Sequence, residues 1–172
     1  MLRRIPYGET DFVTIRKENS YYVDKTAFIP YFENAAKYIM FLRPRRFGKT
    51  LFINTLAAYY DVLEKDNFDQ TFGGLYIHEH ATSQHGKYMI LKFSFASVDS
   101  SRENVQTSFN SKICETIKRF VKKYRNFLPE NAEEYIFQSG GQCDIVLDRL
   151  ITLTSDSPTT APIRTRAMIW SP

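Results

Sequence analysis

Residues 37–63, KYIMFLRPRRFGKTLFINTLAAYYDVL, decide how the rest of the chain is read. Lys37–Leu42 is a short apolar run of the kind that fills a strand buried on both faces. A basic turn follows, Arg43-Pro44-Arg45-Arg46-Phe47-Gly48-Lys49-Thr50. From Thr50 the period changes: Ile53, Leu56, Ala57, Tyr60 and Leu63 recur at helical spacing and predict one apolar helix face. Strand, Gly-Lys-Thr turn and helix, in that order, are the layout of a phosphate-binding loop.

The residue types suit that chemistry. A helix N-terminus carries backbone N–H groups without intrahelical acceptors and the positive end of the helix dipole, so it attracts anions. Gly48 lets the backbone turn sharply and approach a phosphate with no Cβ in the way. Lys49 would set its ammonium on the β- and γ-phosphates, and the Thr50 hydroxyl would ligate Mg²⁺. The general pattern G-x-x-x-x-G-K-[ST] has its first glycine where this chain has Arg43. Arg45 and Arg46 add positive charge beside the loop. The competing reading is a Gly-Lys-Thr that only opens a helix on a basic surface turn.

Bulk properties set the frame. A chain of 172 residues, 43% hydrophobic and 24% charged, is long enough for one sizeable core. The aromatic fraction of 15% is almost all Phe and Tyr, so the core is expected to be built on large rings. A net charge of +4 suits an anionic ligand such as a nucleotide or a nucleic acid without choosing between them. No apolar stretch reaches the length of a membrane span, and no signal-peptide core follows Leu2-Arg3-Arg4, which predicts a cytoplasmic protein with no membrane partner. Cys114 and Cys143 lack C-x-x-C spacing and are expected to be free thiols.

Along the chain, Ile5-Pro6-Tyr7-Gly8 reads as a turn and 11–17 carries no firm pattern. Tyr21–Thr26 suggests a short β segment, with Asp24 or Thr26 capping the turn after it. Pro30 interrupts any helix begun there, so a short helix from Pro30 to Ala36 is an equal alternative. For Asp24 and Lys25, a cap and a solvated charge are weighed against a role on the nucleotide. Asp66–Gly74 reads as a loop, and His78-Glu79-His80 with His85 as polar surface rather than metal ligands. Tyr88–Phe95 predicts a strand with Met89, Leu91, Phe93 and Phe95 on one face. Asp99, just past its end, is either a metal-approaching carboxylate or a cap. Ser100 with Glu103 signals a capping box. The helix after it carries a stripe of Val105, Phe109, Ile113, Ile117, Phe120 or Val121, and Tyr124, with Lys118–Arg125 as its basic surface. A further helix is expected from Gln142 to about Leu153. Residues 154–172 are rich in Ser, Thr and Pro and read as a disordered tail, which leaves 1–153 as the folded domain.

Several blocks, taken in order, resemble a known family. They are Ile5-Pro6-Tyr7-Gly8 with Asp11-Phe12; Tyr22-Val23-Asp24-Lys25-Thr26; Arg43-Pro44-Arg45-Arg46-Phe47-Gly48-Lys49-Thr50-Leu51; and Phe72-Gly73-Gly74-Leu75-Tyr76-Ile77. The chain resembles the bacterial AAA-ATPase-like proteins, P-loop ATPase domains that often precede a PD-(D/E)XK nuclease-like domain, and these also carry arginine at the position of the first loop glycine. The resemblance implies a P-loop NTPase-like α/β fold, a mainly parallel sheet flanked by helices. It implies ATP and Mg²⁺ as cofactors, with Arg45, Arg46, Phe47, Gly48, Lys49, Thr50 and Leu51 at the nucleotide and Thr50 at the metal. It also implies that Asp148-Arg149-Leu150-Ile151 should lead to a hydrophobic strand ending in Asp-Glu, the Walker B, that holds the metal and positions water. Here a Ser/Thr/Pro-rich stretch follows instead, and the loss of apolar period after Leu153 points to a truncated or frame-shifted product.

Three functions compete. The first is an ATP-binding AAA-ATPase-like domain whose turnover is weak or absent. The second is a basic module that binds nucleic acid through Arg43–Arg46 and Lys118–Arg125, with strong salt dependence. The third is an inactive fragment exposing a sheet edge.

Overall fold

A computed structural model describes residues 3–35, 39–42, 44, 46–95, 98, 101, 103–138, 142–156 and 164–170. The chain divides into two compact units, Met1–Lys87 and Tyr88–Pro172. It is a mixture of helix and strand.

The first unit is built from short helices: α1 (Phe12–Lys17), α2 (Ile29–Asn34), α3 (Lys49–Tyr60), α4 (Phe68–Phe72) and α5 (Tyr76–Glu79). Helices of four to six residues do not hold themselves together, so their free ends must be met from elsewhere. Asp11 opens α1, its Oδ2 accepting from the Thr14 N–H at 3.0 Å. Arg16, near the end of α1, donates from Nε to the Thr71 carbonyl at 2.8 Å and from Nη2 to the Gly73 carbonyl at 2.6 Å, closing the C-terminal end of α4. Asp24 and Thr26 close the start of α5: Asp24 Oδ2 accepts from the Tyr76 N–H at 2.7 Å, and Thr26 Oγ1 from the Ile77 N–H at 3.1 Å. The core is aromatic, as the composition predicts. Phe12 and Phe72 lie 5.0 Å apart between ring centroids, Tyr59 and Phe72 5.6 Å, and all three are buried.

Four expectations are corrected in this unit. Of the run 37–42, the described residues 39–42 form no strand, and Met40 and Leu42 are 82% and 79% exposed. Apolar composition alone cannot create a strand, which also needs a ladder partner. Tyr21–Thr26 is likewise not β: Tyr21 N–H donates to the Arg4 carbonyl at 2.7 Å, the Lys25 carbonyl accepts from the Phe28 N–H at 3.2 Å, and a 3₁₀ turn starts at Thr26. Asp66–Gly74 is not a loop throughout, because Phe68 and Phe72 pack together at i,i+4 with centroids 5.3 Å apart and carry α4. The buried side of α3 is Phe52, Thr55, Ala58, Tyr59 and Tyr60 rather than the face of Ile53, Leu56 and Ala57. Apolar residues surround this helix, so periodicity could not single out one side. Leu63 lies past its end and is 40% exposed.

The second unit holds β1 (Tyr88–Ser94), α6 (Val105–Lys123), α7 (Ala132–Phe137), α8 (Cys143–Asp156) and β2 (Arg164–Trp170). β1 buries Met89, Ile90, Leu91 and Phe93 and leaves Lys92 out, close to the expected alternation. α6 buries Ile113, Ile117, Phe120 and Val121, the C-terminal part of the predicted stripe; Val105 and Phe109 are more exposed. Tyr124 follows it, fully buried, and its hydroxyl accepts from the Ile90 N–H at 2.9 Å. α8 buries Val146 and Leu150.

Arg164–Trp170, within the stretch read from sequence as a tail, pairs with β1 in parallel, from Tyr88 opposite Arg164 to Ser94 opposite Trp170. Thr, Ile and Trp favour strands, which explains how a short segment without helical period can pair. This pair is the sheet among the described residues; a larger, mainly parallel sheet is not shown by them. Asp99 and Ser100 lie outside the described residues, and α6 starts at Val105 without a side-chain cap from Asn104.

Candidate functional site

The site lies in the first unit, where the basic turn enters α3. Two departures from ordinary backbone, two residues apart, make the bend: Arg46 at φ 67° and Gly48 at φ 74°, both left-handed. Glycine adopts that conformation without a Cβ penalty, whereas arginine does so at a cost. Gly48 is the N-cap of α3, its carbonyl accepting from the Phe52 N–H at 2.9 Å. A glycine cap has no side-chain oxygen to offer the first-turn amides. The N-terminal end of a twelve-residue helix is therefore presented at this bend.

Each sequence-predicted residue can be placed. Arg46 and Phe47 are exposed on the bend, Phe47 by 61%. Lys49, Thr50 and Leu51 are the first three residues of α3 and half-buried. Arg43 and Arg45 lie outside the described residues. Asp24 is fastened elsewhere: its Oδ1 accepts from the Thr26 N–H at 2.8 Å and the Thr26 hydroxyl at 2.7 Å, while Oδ2 holds α5. The capping role weighed for it in the sequence is the one it performs.

Lys25 is the residue the sequence did not place. Its Nζ lies 3.8 Å from where a Cβ on Gly48 would stand. It is half-buried, and among the described residues no carboxylate pairs with it. A cavity of about 210 Å³ opens beside it, lined by Lys25, Phe28, Phe32, Phe41, Gly48 and Phe52. Phe32, Phe41 and Phe52 touch one another, with centroids 5.3 to 5.8 Å apart. The only sequence signal for this wall was the i,i+4 spacing of Phe28 and Phe32 and the two phenylalanines flanking the basic turn.

Other candidates are placed away from the bend. His78 Nε2 lies 2.9 Å from Asp69 Oδ1, and His80 stacks on Tyr76 with centroids 4.2 Å apart. His85 packs on Phe68 at 4.0 Å, and burial, with Lys65 nearby, lowers its pKa. No group of three or more His, Cys, Asp or Glu side chains suited to a metal occurs among the described residues. Cys114 and Cys143 are free thiols, Cys143 donating from Sγ to Asn110 Oδ1 at 3.1 Å. No helix among the described residues is long and apolar enough to cross a membrane.

Comparison with known proteins adds to this geometry. A protein of Azotobacter chroococcum mcd 1, described as an uncharacterized protein in the vnfD 5′ region, is 37% identical over 78 residues, which is 45% of this chain. The matched part is 14% of that relative's length, so the chain spans a small share of it. No solved structure matches the chain. The family described as "Predicted AAA-ATPase" matches residues 6–157, and with it the bend, α3 and most of both units. On that match, the chain belongs to this AAA-ATPase-like family.

Proposed function

We propose that the chain binds a nucleoside triphosphate, ATP with Mg²⁺, through the bend and the first turn of α3. The observation that carries this reading is Gly48, left-handed at φ 74° and capping α3 immediately before Lys49 and Thr50. In this reading the first-turn amides meet the phosphates, Lys49 adds a cation, and Arg45, Arg46, Phe47 and Leu51 complete the cradle. Thr50 would hold Mg²⁺, which neutralises phosphate charge when bound. A P-loop NTPase-like arrangement, with a mainly parallel sheet flanked by helices, belongs to the same proposal.

Calorimetric titration of Mg-ATP into wild type and Lys49→Ala tests the reading. Wild type is expected to bind and the variant to lose at least about tenfold in affinity, since charge-assisted contacts each contribute roughly 1.5–3 kcal/mol. Equal affinity in the two proteins discards it.

A further inference from the structure

We propose that the aromatic cavity beside Gly48 receives the nucleobase of the bound nucleotide, with Lys25 at the junction between base and phosphates. The inference rests on the nucleotide reading above and adds where the rest of the ligand goes.

Two properties of the cavity select the ligand. Its walls are four phenylalanine rings, so it favours a flat apolar group that can stack. Its remaining lining is Gly48 and the Lys25 side chain, a half-buried ammonium with no carboxylate partner among the described residues. A wholly apolar occupant would leave that cation uncompensated, and an inorganic phosphate would leave the rings bare. A flat ring joined to an anionic arm satisfies both.

Size and position agree. A cavity of about 210 Å³ is smaller than the roughly 300–1,000 Å³ typical of sites that enclose a whole drug-sized ligand. It suits one part of a nucleotide and leaves the phosphates outside. Gly48 lines the cavity and also caps α3, so the base would enter on one side of this glycine while the phosphates meet the amides on the other. A side chain at 48 would be strained by the left-handed backbone, while Lys25 Nζ, 3.8 Å from the Cβ position, stands at ordinary contact distance.

The test compares Mg-ATP with Mg-tripolyphosphate, which has the same anionic arm and no base, by calorimetry on the full chain. Phe28 is the residue to change, because it lines the cavity yet is 51% exposed, so truncating it does not hollow the core. Wild type is expected to bind ATP about tenfold more tightly than tripolyphosphate. Phe28→Ala should bring ATP down toward tripolyphosphate and leave tripolyphosphate unchanged, with Phe28→Leu between them. Lys25→Met should weaken both ligands. The proposal is overturned if Phe28→Ala leaves ATP binding intact, or weakens both ligands equally. If wild type binds tripolyphosphate and ATP alike, the base has no site here and the phosphate reading survives alone. If wild type binds neither, both readings fall together.

Discussion

His85 shows how much one side chain's surroundings matter in this chain. Its ring lies against Phe68 and 5.2 Å from Tyr59 between centroids, and burial favours the neutral imidazole, with Lys65 acting in the same direction. The folded pKa is therefore below the ordinary 6.5 of the unfolded chain. Protons bind the unfolded state preferentially between the two values, so this contribution is whole above pH 6.5 and is lost as the pH falls through the folded value. Urea midpoints at about pH 8 and pH 5.5 should drop more for wild type than for His85→Gln; equal drops would show that His85 contributes nothing to the acid sensitivity. Residue identity made other roles partly legible. Gly48 and Lys49 could be assigned to the bend from their order alone. The neighbours Asp24 and Lys25 could not be separated, because what distinguishes them is that one meets α5, 52 residues on, and the other meets the bend.

Among the elements, the short helices of the first unit depend on groups distant in sequence. α5 has four residues, and its first amides are met by Asp24 and Thr26. Asp24→Ala removes the acceptor for the Tyr76 N–H and for the Thr26 amide and hydroxyl. Loss of a cap of this kind costs about 0.5–2 kcal/mol, so the melting temperature should fall by a few degrees. An unchanged melt would mean that water replaces Asp24 without loss. In the second unit β1, α6 and α8 were legible, whereas α7 and β2 were not. β1 is a largely apolar run, and α6 and α8 carry stripes long enough for the helical period to be read without knowledge of their partners. α4 was missed because its five residues include Asp, Gln and Thr, and two phenylalanines one turn apart are its only apolar signal. The run 37–42 failed for the opposite reason: its composition favours a strand, but strand formation is settled by pairing.

At the scale of the molecule, the family was legible in short blocks strung across 5–77, while the division into two units was not. Each block carries a definite geometry: a left-handed glycine at Gly8, a cap from Asp24 to α5, a bend at Gly48. A division into units depends on which surfaces meet, and no local pattern encodes that. The block Asp24-Lys25-Thr26 also joins two parts of the first unit. Asp24 and Thr26 hold the start of α5, and Lys25, between them, points its ammonium toward Gly48. Only one peptide bond lies between the group that would feel an arriving anion and the carboxylate that fastens the Tyr76 amide. Occupancy of the bend should therefore slow deuterium uptake at Tyr76 and Ile77, some fifty residues along the chain from Lys25, and uptake indifferent to Mg-ATP would show the two ends uncoupled. On the proposed reading, this tripeptide would carry the arrival of a nucleotide at Gly48 to the start of α5.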